Sequence, residues 1–149
     1  MSRVIVLDTG PIGLITNPNL SEQSIACNVW LQRHLRSQSR IVVPEIADYE
    51  VRRELIRARK EEGLNRLDTL SQIVEYQPLT TASMRVAAKL WARARQTGQP
   101  TAGDNTIDGD MILIAQAMSL DTGAIIATTN VKHLSRFVSA DEWQTIEPD

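Results

Sequence analysis

Apolar residues follow two patterns along the chain. Residues 3–8 (RVIVLD) and 123–128 (GAIIAT) are short continuous apolar runs, the pattern of strands buried on both faces, and residues 40–43 repeat it more briefly. The segments between them carry helical spacing. Ser21 is placed to cap a helix running to about Ser37, in which Ile25, Val29 and Leu35 recur with Cys27 and Trp30 beside them. Pro44 is placed to open a helix reaching about Lys60, with Gly63 closing it. A helix over residues 64–73 leads into an extended piece over 74–79. Thr80 then opens another helix with Ala82, Val86, Leu90 and Ala94 as its apolar stripe. After a loose segment over 97–106, a helix over 107–120 is expected to bury Ile107, Met111, Ile114 and Met118. Strands and helices alternate, which predicts an α/β fold with a central parallel sheet covered by helices on both faces. Chemistry in such sheets lies at the carboxyl ends of the strands.

The length, 149 residues with 42% hydrophobic positions, suits one domain spanning 1–149. No apolar run approaches the ~20 residues of a membrane helix, and the opening MSRVIVLDTG is too short and too polar at its end for a secretory signal, so a cytoplasmic protein with no membrane association is expected. A single cysteine, Cys27, excludes an internal disulfide, and His34 and His133 alone supply no Cys/His set for structural zinc. Any metal must be held by oxygen.

The net charge of -2 gives the whole molecule no strong attraction to nucleic acid, but the charge is unevenly spread. No acid lies between Tyr76 and Gly103, where Arg85, Lys89, Arg93 and Arg95 stand, and Arg52, Arg53, Arg57, Arg59 and Lys60 face only Glu54 in their segment. These stripes are either solvated helix faces or rims for phosphate, with Arg53, Arg57, Arg85, Lys89 and Arg93 the candidate phosphate-binding residues. Six aromatic residues argue against base stacking as a main source of affinity.

Three acids stand out by position. Asp8 ends an apolar strand just before Thr9-Gly10-Pro11, either as a turn or helix cap or as a carboxylate at the sheet's carboxyl edge. Asp110 lies three residues after Ile107 and four before Ile114, along the apolar stripe of its helix, where an uncompensated carboxylate costs several kcal/mol. Asp108 is explained by the positive end of the same helix. Glu50 borders the apolar face of its helix and is either part of a site or an exposed partner of Arg53 and Arg57 at i+3 and i+7, and an exposed ion-pair role suits Glu54, one turn further on, better still. Taken together, Asp8, Glu50 and Asp110 come from separate elements that a parallel sheet gathers at one edge. Such a group recruits Mg²⁺ or Mn²⁺ and suits metal-assisted hydrolysis of a phosphodiester, which needs no His or Cys nucleophile.

The blocks VIVLDTGPIGLITNP, PEIADYEVRRELIR and DGDMILIAQAMSLDTGAIIATTNVKHLSRF resemble, in order and over nearly the whole chain, those of PIN-domain proteins, above all the single-domain VapC toxin ribonucleases of bacterial toxin–antitoxin pairs. The resemblance implies a PIN-like three-layer α/β/α fold and a Mg²⁺- or Mn²⁺-dependent endoribonuclease, commonly a homodimer, restrained by a cognate antitoxin. By position, Asp8, Glu50 and Asp110 match the family's first three acids, with Asp108 as a further candidate metal ligand and Thr128 as an auxiliary that orients carboxylates. The family's fourth acid falls on Asn130, which is either a catalytic residue acting through its carbonyl or a turn residue ending the strand. The missing charge weakens any second ion site and leaves an alternative: a catalytically weak RNA-binding or regulatory PIN module. A haloacid-dehalogenase-type phosphatase would need an Asp where Gly10 stands, and a receiver domain would need an acidic pair ahead of the Asp8 strand. His133 and Arg136 follow Asn130 closely, where they either border the site or, for His133, serve a loop or packing, and Trp91 and Trp143 read as packing or dimer-surface residues.

Overall fold

The first strand, β1 (Val4–Leu7), is buried along its whole length, and the other strands are laid down on either side of it. In the computed structural model, residues 3–98, 104–120 and 123–148 are described, except the side chains of 104–108. In chain order the elements are β1, α1 (Thr9–Thr16), α2 (Glu22–Arg36), β2 (Arg40–Pro44), α3 (Glu45–Arg57), α4 (Glu61–Ile73), β3 (Glu75–Gln77), α5 (Thr81–Gln96), α6 (Asp104–Met118), β4 (Ile125–Thr128), α7 (Val131–Leu134) and β5 (Ala140–Glu142), followed by a 3₁₀ turn at Trp143–Thr145. The sheet order is β3-β2-β1-β4-β5 and every pair is parallel. Val6 stands opposite Val42 of β2 and Ile126 of β4. The chain winds outward from β1 to β3, then returns through α5 and α6 to the other side of β1. That reversal places the carboxyl ends of β1 and β4 side by side, which is where doubly wound sheets open a crevice.

Alternation along the strands divides the core in two. Ile5, Leu7, Ile41, Val43 and Ala127 pack with α1, α2 and α4, while Val6 and Ile126 pack with α5 and α6. Among the described residues no helix is long and apolar enough to cross a membrane.

Several helix faces differ from expectation. On α2 the buried residues are Ser24, Cys27, Trp30, Leu31 and His34, while Ile25 and Val29 are 48% and 54% exposed. On α5 the buried stripe is Ser83, Ala87, Leu90 and Ala94, and Ala82 is exposed. Counting apolar residues alone displaced both stripes, because hydrogen-bonded polar residues occupy core positions: Ser83 donates through its backbone N–H to the capping Thr80 hydroxyl, and His34 bonds Ser39 and the Ile146 carbonyl. On α6 Met111 and Ile114 are buried as expected, Met118 is exposed, and the Ile107 side chain lies outside the described residues.

Helix boundaries moved for identifiable reasons. Helix α1 begins directly at Thr9, because Asp8 caps it. The helix after Pro44 ends at Arg57, and the turn into α4 is made by Arg59 at φ 56°, not by Gly63. Gly63 lies inside α4, where a Cβ would stand 2.9 Å from Leu55 Cδ2, so its role is close packing of α3 on α4. The short α7 and β5 were not anticipated.

A buried clamp fixes α6 against α3 and β3. Gln116 is fully buried; its Oε1 accepts from the Ile46 N–H at 3.2 Å, capping α3 where Pro44 offers no side-chain oxygen. Its Nε2 donates to the Gln77 carbonyl at 3.0 Å, and Gln77 Nε2 returns a bond to the Gln116 carbonyl at 2.9 Å.

Candidate active site

The crevice between β1 and β4 is organised around Asp8. Its N–H donates to the Ala127 carbonyl at 3.0 Å, continuing the β1–β4 pairing one residue past the strand. Its two carboxylate oxygens have different partners. Oδ1 accepts from the Thr9 N–H at 2.7 Å and so caps α1, whereas Oδ2 accepts from the buried Thr128 hydroxyl at 2.7 Å. The Thr128 oxygen in turn accepts from the Asn130 N–H at 2.9 Å. Asp8 is thus both the helix cap and the carboxylate at the sheet edge. Gly10 is required by this arrangement, since a Cβ there would lie 2.6 Å from the Thr129 side chain.

Glu50 reaches the crevice from α3 and Asp110 from α6. Both are half-buried. Burial is the main cause raising the Glu50 pKa above the ordinary carboxylate range; the Arg53 charge opposes it, and the Asp8 and Asp110 charges add to it. Burial likewise raises Asp110, with Asp8 adding and His133 opposing. The structure therefore brings Asp8, Glu50 and Asp110 into one electrostatic group, with Thr128 joined through Asp8. Gly109 provides the space: a Cβ on it would stand 2.8 Å from Glu50 Oε2, so α6 passes Glu50 at a distance that admits only glycine without displacement. The Asp108 side chain lies outside the described residues.

Asn130 is exposed and serves as the N-cap of α7 without a side-chain capping bond. His133, expected in a loop or in packing, lies half-buried on α7, within reach of Asp110's charge. Its place five residues past the end of β4, in a fold whose chemistry sits at strand ends, is the sequence signal for a position bordering the site.

The basic candidates separate into different roles. Arg53 lies 3.8 Å from Glu50, Arg57 pairs with Glu54 at 2.6 Å, and neighbouring Arg52 ties Asp48 of α3 to Asp68 of α4. Arg85, Lys89 and Arg93 project to solvent from α5. A groove of about 510 Å³ runs from Glu50 between α1 and α3, and its polar lining includes Thr9, Asn17, Arg53, Glu54, Arg57 and Lys60. Trp143 is buried, in edge contact with Trp30, and Trp91 is partly exposed beneath Arg95.

Among the described residues no three His, Cys, Asp or Glu side chains form a ready-made metal cage. Mg²⁺ does not require one, because it takes one or two carboxylates and keeps several waters. The carboxylate and hydroxyl oxygens here, and the room that Gly109 leaves at Glu50, fit such an ion.

No family model matches the sequence, and no curated protein matches it. Solved structures do match. A chain of VapBC-1 from nontypeable Haemophilus influenzae aligns with a TM-score of 0.68 at 21% identity, covering 95% of this chain and 98% of that one. DNA-bound VapBC from Salmonella typhimurium gives 0.68 at 17% identity, with coverages of 96% and 99%. VapBC2 from Rickettsia felis, bound to a fragment of its promoter DNA, gives 0.67 at 19% identity, with coverages of 94% and 98%. At this identity the likeness speaks for architecture, and with the five parallel strands and flanking helices it establishes that the chain has a PIN-like α/β/α fold.

Proposed function

We propose that this protein is a metal-dependent endoribonuclease that hydrolyses RNA phosphodiester bonds, acting as the toxin of a type II toxin–antitoxin pair. One observation carries the reading: carboxylates from β1's end, α3 and α6 meet where the winding of the sheet reverses, and burial raises the pKa of two of them. Packing alone gives no reason to gather acids there, and charges held together against desolvation favour capture of a cation.

Asp8, Glu50 and Asp110 would hold Mg²⁺ or Mn²⁺, with Asp108 as a further donor. Such an ion, when bound, activates a water and neutralises charge on a phosphodiester. The chain's own groups prepare the site. The Thr9 N–H and the Thr128 hydroxyl fix both oxygens of Asp8, so that its carboxylate is already oriented before anything binds. The Gln116 clamp sets α6 against α3, and hence Asp110 against Glu50. Arg53, Arg57 and Lys60 line the groove leading away from Glu50 and offer charge to the RNA backbone, while Arg85, Lys89 and Arg93 supply a second basic face on α5.

The structurally similar chains come from VapBC structures, two of them containing DNA, which supports a cognate antitoxin as partner. A homodimer and a cytoplasmic location belong to the same reading.

The test is a cleavage assay on mixed structured and single-stranded RNAs with Mg²⁺, Mn²⁺ or EDTA. Cleavage is expected only with metal and is expected to be lost in Asp8→Asn and Asp110→Asn, whose folding is checked by circular dichroism. Undiminished cleavage by either folded variant overturns the reading. The exposed, uncharged Asn130 favours a second reading, a catalytically weak RNA-binding module. Asn130→Asp should then raise cleavage greatly, and equal rates in the two proteins exclude it.

A further inference from the structure

Arg53 stands at the border between the acidic crevice and the α1–α3 groove. Its Nη2 is 3.8 Å from Glu50 Oε2, and its guanidinium lies 5.2 Å from the centre of the Tyr49 ring. The contact with Glu50 is loose beside the 2.6 Å Arg57–Glu54 and 2.8 Å Arg33–Glu147 pairs, and the Arg53 side chain is 53% exposed while Glu50 is 29% exposed. Arg53 is thus neither locked between two acids, as Arg52 is by Asp48 and Asp68, nor carried on a different helix, as the α5 basic residues are. The same guanidinium lines the groove with Thr9, Asn17, Arg57 and Lys60, and Glu54, which also lines it, is paired to Arg57, so a polyanion would meet Arg53 and Lys60 there. One cation therefore has a carboxylate that a divalent ion would also claim on one side and, on the other, the groove in which RNA phosphates would lie.

Resting on the reading of the crevice as a metal site, we propose that Arg53 is a positioning residue with two posts: counter-ion to Glu50 while the crevice holds no divalent ion, and clamp on an RNA backbone phosphate in the α1–α3 groove once an ion engages Glu50. The guanidinium is suited to both, since it forks onto carboxylate and phosphate alike and cannot lose its charge. The two posts link metal to RNA. A cation engaging Glu50 competes with and repels the Arg53 guanidinium 3.8 Å away, so the arginine charge opposes metal in the empty crevice and the metal-loaded protein has a loosened arginine for substrate. Linkage of this kind is reciprocal.

The experiment measures Mn²⁺ affinity directly, by electron paramagnetic resonance without RNA, and separately the KM for cleavage of a single-stranded RNA at saturating Mn²⁺, in wild type, Arg53→Gln and Arg53→Lys. Arg53→Gln is expected to bind Mn²⁺ about fivefold more tightly and to raise KM for RNA by about tenfold. Arg53→Lys keeps a cation at both posts and is expected to restore most of each. An arginine with only a structural role changes neither in this opposed way, and one that contacts only phosphate leaves Mn²⁺ affinity unchanged; either result overturns the proposal. Wild-type protein that binds no Mn²⁺ overturns the metal-site reading along with it, whereas normal Mn²⁺ binding with an indifferent Arg53→Gln removes the role of Arg53 alone.

Discussion

Gly109 sets the clearest residue-level conflict between stability and site. Ala is favoured over Gly in a helix interior by about 0.8–1 kcal/mol, so Gly109→Ala should leave the fold as stable as before or slightly more so. Its Cβ would nevertheless stand 2.8 Å from Glu50 Oε2, and the yielding atom is the end of a flexible side chain. Glu50 should move. The expected outcome is an unchanged or higher Tm with cleavage reduced by at least about tenfold, because displacing a catalytic group by ~1 Å costs on that scale or more; equal cleavage would mean Glu50's position is not critical. The acids themselves were legible in the sequence because each breaks a local rule: Asp8 ends an apolar strand, Asp110 lies on an apolar stripe, and Glu50 borders one. Gly109 was not legible, since the reason for it is a side chain on another helix. Thr128 was readable as an auxiliary only through the family resemblance, and the structure gives it a concrete bond to Asp8.

At the scale of elements, the site depends on how α6 sits against α3, and Gln116 decides that. Gln116→Leu leaves the Ile46 N–H and the Gln77 carbonyl without these partners in a buried place. Each buried polar group left unsatisfied costs about 1–3 kcal/mol. The variant should unfold at lower denaturant by that order, and, because the clamp sets the distance between Glu50 and Asp110, its residual cleavage should fall further than the loss of folded protein explains. Cleavage that tracks the folded fraction would mean the clamp serves stability alone. Elements of strong periodicity and clear caps were readable, as with α5, whose Thr80 cap the sequence marked. The faces of α2 and α5 were displaced because Ser24, Ser83 and His34 occupy core positions, and β5 was missed because its three residues are mostly exposed and are defined as a strand only by pairing with β4.

For the molecule as a whole, the carboxyl-terminal segment is fastened back onto α2 and the start of β1. The Ile146 carbonyl accepts from Trp30 Nε1 and from His34 Nε2, both at 2.9 Å, and Glu147 pairs with Arg33 and offers its carbonyl to Arg3. Burial is the main cause lowering the His34 pKa, and the Arg3 and Arg33 charges add to it. A histidine whose pKa is lower folded than unfolded is protonated first in the unfolded chain. Its contribution is complete above the ordinary value of about 6.5 and is lost as pH falls from there toward the lowered one. Wild type should therefore lose more stability than His34→Gln between pH 7 and pH 5.5, with a slope from this one group of no more than ~1.4 kcal/mol per pH unit; parallel urea midpoints for the two proteins would show that His34 does not titrate on unfolding. The parallel α/β architecture was legible from the alternation of elements, but this fastening was not, because it joins residues more than a hundred positions apart.

The bond between the Thr128 hydroxyl and Asp8 spans 120 positions in sequence. During synthesis, Asp8 is made well before the group that orients it and the strand that forms the crevice's other wall. A nascent chain still lacking β4 has Asp8 but no crevice. On the proposed reading, cleavage competence therefore waits on β4, and a chain truncated before Ile125 is expected to be inert toward RNA even when it carries Asp8 and Glu50.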